Sequence, residues 1–230
     1  MIHSTFKGID FKTIGERFNL QATTPHFSDL TLDSIQTWLG EMGEPKYRAG
    51  QIHDWIFNKR VFDPSLFSNL SKTIREKLSQ DFEWHMPEII ESHSSEDGAT
   101  KLLINIGDKF KTEAVILRYE NRTSLCVSSQ VGCKLACSFC QTGKLGFFRH
   151  LDYSEIIAQF CLAQSIVEKE GRSISHIVFM GMGEPLDNYK NTVKAVQAFT
   201  SPDKFGKRVF AIDRHEFCAK LIVTRMKRDC

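Results

Sequence analysis

The sequence predicts an α/β protein, with a parallel sheet covered by helices that cannot close on itself and a small helical domain in front of it. Three observations predict this. Apolar residues fall at helical intervals from Leu30 to about Trp84, short runs of branched aliphatics replace them after Pro87, and beyond Tyr153 helix and strand patterns alternate. At 230 residues the chain exceeds a typical single domain, and 41% hydrophobic with 25% charged residues is an ordinary globular composition that excludes wholesale disorder. The expected division is a helical unit over 1–88, a sheet unit over 89–206 and an atypical tail over 207–230.

Each element has its own justification. Leu32, Ile35, Trp38 and Leu39 mark one helix, Ile52, Trp55 and Ile56 a second, and Leu70, Ile74 and Leu78 a third. Breaks at "GEMGEP" and "FDPS" separate them, with Pro64 and Ser65 opening the third. The basic residues Lys46, Arg48, Lys59 and Arg60 either touch phosphates or form a solvated face. "ATKLLINI" and "EAVILRY" read as a hairpin with its turn at Gly107 and Asp108, and "TSLCVSSQVG" as a third strand leading into a cysteine cluster. A helix follows from about Tyr153 to Glu170, capped by Asp152, then a buried strand "HIVFM", a turn "GMGEP" and a helix from Asn188 to Phe199. Only about two βα units precede residue 200, far short of a closed barrel, so one sheet edge is expected to stay unpaired.

A net charge of +2 and a pI near 8.1 neither demand nor forbid RNA. No window approaches the apolar length of a membrane span, so no membrane partner is expected and a cytoplasmic location is. There the seven cysteines (126, 133, 137, 140, 161, 218 and 230) would stay reduced, and a cluster of them reads as metal-binding or catalytic.

The cluster is "CKLACSFC", with Cys133, Cys137 and Cys140 spaced C-x3-C-x2-C. Thiolates select soft centres such as zinc or iron–sulfur clusters. A structural zinc wants a fourth ligand, and the sequence offers no second cysteine pair; His150, ten residues past Cys140, is either that ligand or a solvent-facing histidine. A 4Fe–4S cube held by three thiolates instead leaves one iron open to bind and reduce something.

With Phe139 before the last cysteine, this motif resembles that of radical S-adenosylmethionine (SAM) enzymes. Together, "SLCVSSQVGCKLACSFCQTGKLGFFRHL", "FMGMGEPLDNY" and the upstream "PKYRAGQIHDWIF" resemble the dual-specificity methyltransferases acting on carbon 2 of adenosine in 23S ribosomal RNA and in transfer RNA, from about Leu30 to about Pro202. The resemblance implies a partial (β/α) radical SAM barrel with an RNA-contacting helical domain. It implies a 4Fe–4S cluster on Cys133, Cys137 and Cys140, S-adenosylmethionine held at Gly183 and Glu184, and a 5'-deoxyadenosyl radical as oxidant. It assigns Glu113 as proton acceptor and Cys126, seven residues before Cys133, as the cysteine resolving a covalent RNA adduct through a disulfide. An exposed strand glutamate and a small buried strand cysteine are the plain structural readings of these two. A flavodoxin-type electron donor and a monomeric state complete the expectation.

The family's methyl-carrying cysteine lies beyond the length of this chain, and "KFGKRVFAIDRHEFCAKLIVTRMKRDC" keeps at most "KRVF" of the family pattern. Neither Cys218 nor Cys230 has a motif around it. A truncated, catalytically incomplete form that binds cluster and RNA, and a zinc-binding structural module, are therefore the readings set beside the active enzyme.

Overall fold

The computed structural model describes residues 24–107 and 109–210. Its first part is helical. After a 3-10 turn at Phe27–Asp29, helix α1 (Leu32–Glu41) starts at Thr31, whose hydroxyl accepts the Ser34 N–H while the Ser34 hydroxyl accepts the Thr31 N–H at 2.9 Å. Ile35 and Leu39 form its buried stripe. Helix α2 (Arg48–His53) runs straight into a π turn at Asp54–Asn58, and the third helix, α3, spans Lys72–Asp81.

Pro64 and Ser65 do not open α3, as the sequence suggested. The Asp63 carboxylate accepts the Ser65 N–H at 2.9 Å and supports a single 3-10 turn, Pro64–Leu66, after which Phe67 leaves helical geometry with ψ 74°. The chain restarts at Ser71, whose hydroxyl caps the Ile74 N–H. Inside the part, Trp55 stacks on Phe67 at 5.2 Å, and Phe27 lies 4.5 Å from Phe62 and 5.6 Å from Trp84.

The second part is a six-stranded sheet in the order β1 (Glu88–Ser94), β2 (Ala99–Asn105), β3 (Lys111–Arg118), β4 (Thr123–Cys126), β7 (His176–Val178), β8 (Arg208–Phe210). The first four strands pair antiparallel, and β7 and β8 then add in parallel. The expected hairpin is β2 with β3, although Asp108 of its turn lies outside the described residues. β1 was not expected: "EIIESHS" is mostly exposed and lacks alternation, so pairing with β2 rather than any apolar face makes it a strand. The expected third strand is divided, because β4 ends at Cys126 and Gln130–Gly132 (β5) pairs instead with Phe147–His150 (β6) in a separate ribbon.

Helices α5 (Tyr153–Glu168) and α6 (Tyr189–Thr200) pack on each other. α5 starts at Asp152, whose N–H donates to the Glu155 carboxylate at 2.8 Å, and α6 at Asn188. Leu102, Ile104, Ala114, Ile116, Leu125 and Ile177 form the buried face of the sheet. "KRVF" supplies β8, while the rest of the atypical tail, with Cys218 and Cys230, lies outside the described residues. The two parts meet at Ser28, whose carbonyl accepts both the Tyr153 hydroxyl and Lys204 Nζ at 2.9 Å beside an Asp29–Lys194 ion pair. No helix among the described residues is long and apolar enough to cross a membrane.

Candidate metal and cofactor site

The cysteine loop is folded back on itself by three tight positions. Gly132 has φ +76°, and a Cβ there would stand 1.9 Å from the Gly146 carbonyl oxygen, which the Cys133 N–H reaches at 2.9 Å. Ala136 also adopts a positive φ of 45°, and a Cβ on Gly143 would sit 3.0 Å from Cys137 N. The Cys140 N–H donates to the Cys137 carbonyl at 2.9 Å, and the one-turn helix α4 (Gln141–Lys144) follows.

Cys133, Cys137 and Cys140 are all half-buried free thiols on this loop. The Cys133 pKa is pushed up, chiefly by burial and further by the nearby Cys137, Cys140 and Glu184, against a backbone N–H bond from Leu135. Glu184, from the "GMGEP" turn, is near enough for its charge to bear on Cys133. Among the described residues no three His, Cys, Asp or Glu side chains already converge as metal ligands. The donor set nevertheless fits a soft centre, because three half-buried thiols share one loop that Gly132, Ala136 and Gly143 fold back on itself. His150 is half-buried, and its Nδ1 lies 3.1 Å from Gln130 Nε2.

Gly183 has φ +97°, as a non-glycine residue rarely does, but a Cβ there would meet the Gln130 Cβ at 2.4 Å. The buried Gln130 side chain occupies the space where a side chain at position 183 would lie. The Glu184 N–H donates to Gln130 Oε1 at 2.9 Å, and the Glu184 carboxylate accepts the Leu186 N–H at 3.2 Å.

Glu113 and Cys126 share a face. Cys126 on β4 stands opposite Val115 on β3, and Glu113 lies two residues along on the same side, away from the buried Ala114 and Ile116. Lys101 Nζ holds the Glu113 carboxylate at 3.1 Å. Burial pushes the Cys126 thiol up to about 11, partly offset by a backbone bond from Met180. All five cysteines among the described residues are free thiols.

Sequence reasoning missed the polar residues that hold these pieces together. Ser128 Oγ donates to the Glu113 carbonyl at 2.6 Å and accepts the Met182 N–H at 2.8 Å. Gln159, wholly buried on α5, accepts the Ser128 N–H at 2.8 Å and donates to the Ser128 carbonyl at 3.0 Å. Polar residues inside the otherwise apolar run "CVSSQVG", and a glutamine on the buried side of a helix, were the available signs. The basic residues of the helical part are largely committed: Arg48 pairs with Glu44, Lys59 with Asp54 and Arg60 with Glu168, while Lys46 is exposed.

Residues 26–83 match a family model described as the ribosomal RNA large subunit methyltransferase N-terminal domain. Curated relatives named probable dual-specificity RNA methyltransferase RlmN, from Bacillus thuringiensis (strain Al Hakam) and Bacillus cereus (strain AH187), are 42% identical over 176 residues, which is 76% of this chain and 49% of each relative. The chain therefore spans about half the length of the curated relatives it matches. A crystal structure of a radical SAM methyltransferase from Sphaerobacter thermophilus superposes with a TM-score of 0.73 at 34% identity, over 80% of this chain and 55% of that one.

Proposed function

We propose, from the premise that this chain belongs to the RlmN-like family of radical SAM methyltransferases, that it methylates carbon 2 of adenosine in 23S ribosomal RNA and in transfer RNA. The observation that carries the reading is that Cys133, Cys137 and Cys140 stand half-buried on one folded-back loop, near enough to Glu184 for its charge to bear on Cys133, with Glu113 and Cys126 on one face of the sheet. Three thiolates from the loop would hold a 4Fe–4S cluster, and Gly183 with Glu184 the amino end of S-adenosylmethionine. When bound, this pair supplies one-electron chemistry able to functionalise a carbon that is too electron-poor to attack a methyl sulfonium.

The protein's own residues do the rest. The Glu113 carboxylate, steadied by Lys101, is the proton acceptor. Burial keeps the Cys126 thiol protonated at neutral pH, so it acts on a covalent adduct only once a base has taken its proton. The helical part contacts RNA, and a flavodoxin-type protein is the electron donor to a monomeric chain.

Anaerobic reconstitution tests the reading. The chain is expected to turn brown with about four irons and to lose them when Cys133, Cys137 and Cys140 are each changed to Ser; labelled methyl appearing in an RNA fragment under reducing conditions is the result that carries the methylation reading. Colourless protein with one zinc per chain would establish a structural zinc module instead, and iron with donor binding but no RNA product would leave a cluster- and RNA-binding protein.

A further inference from the structure

A loop and a turn that present groups to one ligand need their separation fixed, and one side chain here does so. Gln130 is wholly buried although it is polar. Its Oε1 accepts the Glu184 N–H at 2.9 Å, its Nε2 donates to Asp187 Oδ2 at 2.7 Å, and its Cβ and Cγ fill the space beside Gly183. The backbone N–H groups of Ser129 and Gln130 both donate to the Met182 carbonyl. Asp187 carries the chain onward, because its carboxylate takes Lys134 Nζ at 3.1 Å, and Lys134 directly follows Cys133. A continuous line of bonds therefore runs from the glycine turn through Gln130 and Asp187 to the cysteine loop. An uncharged amide suits the middle position, since it accepts from an N–H and donates to a carboxylate at once. A carboxylate there would face Asp187 charge to charge.

We infer that Gln130 is a positioning residue: the Gln130–Asp187–Lys134 brace fixes the Gly183–Glu184 turn against the cysteine loop and thereby sets the affinity for a sulfonium donor that Gln130 itself does not touch. The inference rests on the functional reading above and deepens it.

The test uses the full chain after anaerobic reconstitution, with iron counted and S-adenosylmethionine binding measured by equilibrium dialysis. Gln130→Glu is expected to keep its iron and bind the donor about tenfold more weakly or worse, the scale of one lost charge-assisted bond. Adding Asp187→Asn restores binding to within about threefold of the parent, because the introduced carboxylate then accepts from an amide. A purely structural role would not give this reciprocal rescue. Lys134→Met alters a half-exposed side chain, preserves the fold and weakens binding about threefold. Parent-like affinity in Gln130→Glu, or a double variant no better than the single, overturns the brace. Should Gln130→Glu also shed iron, Lys134→Met decides, and unchanged affinity there overturns it. A parent chain that takes up neither iron nor donor overturns the functional reading and this inference together, a result distinct from a parent that binds and variants that match it.

Discussion

Replacing Gln159 with leucine removes the clamp behind the candidate site at nearly constant volume. Gln159 is wholly buried, so no water replaces it, and the change strands the Ser128 N–H and carbonyl that it now satisfies at 2.8 and 3.0 Å. Each stranded group costs about 1–3 kcal/mol. The added carbon returns roughly 1 kcal/mol of burial, leaving an expected loss of about 1–5 kcal/mol. Urea unfolding followed by circular dichroism reads this as a lower midpoint at unchanged slope. Gln159→Glu makes the sign visible. Its carboxylate still accepts the Ser128 N–H but faces the Ser128 carbonyl, so the folded state favours the protonated acid and its pKa rises above the unfolded value. Folded protein then binds more protons than unfolded, and this variant's stability falls as pH rises. A loss below about 1 kcal/mol for Gln159→Leu would refute the claim that this glutamine holds the strand extension in place.

Three further outcomes are expected. Gly132→Ala must keep φ +76° and place a methyl 1.9 Å from the Gly146 oxygen, so roughly 1–2 kcal/mol of left-handed strain adds to about 1–3 kcal/mol of overpacking, read as a lower thermal midpoint and faster iron loss. Cys126, with its thiol pushed to about 11 by burial, should alkylate slowly at pH 8 and gain roughly tenfold per pH unit until near that value, whereas a rate by peptide mass spectrometry that levels off near pH 9 would contradict its burial. The Arg118 guanidinium grips Glu170 at 2.7 and 2.8 Å and holds its carboxyl below the usual range; the stabilisation is present above the unfolded carboxylate pKa and lost as pH falls through the depressed one. Since Glu170 is over a third exposed, Glu170→Gln should cost no more than about 1 kcal/mol at pH 7, and the difference should vanish in acid.

Much of this arrangement is legible in the residues themselves. Ile35 and Leu39, Ile74 and Leu78, and the alternation in β2 and β3 disclose their elements because burial on one face imposes a period. The cysteine spacing disclosed the loop, the expected cap Asp152 stands at the start of α5, and the helix expected from about Asn188 starts at Tyr189 as α6. Most of what stayed hidden depends on contacts between distant segments. β1 exists through pairing with β2, Pro64 yields to Ser71 through local hydrogen bonding, and the split after Cys126 follows from Gln159 and Met182 drawing Ser128 and Ser129 aside. Gln130 shows the same limit at the site: its partners Glu184 and Asp187 lie 54 and 57 residues away, and no local pattern announces them.

The junction at Ser28 carries an energetic corollary. One carbonyl that receives both a tyrosine hydroxyl and a lysine ammonium, with an ion pair alongside, ties the helical part to the sheet part. A partner that touched both parts would therefore meet two surfaces already held together. The entropy of bringing two modules into mutual orientation was surrendered during folding, and grip gained on one part is not dissipated in steering the other.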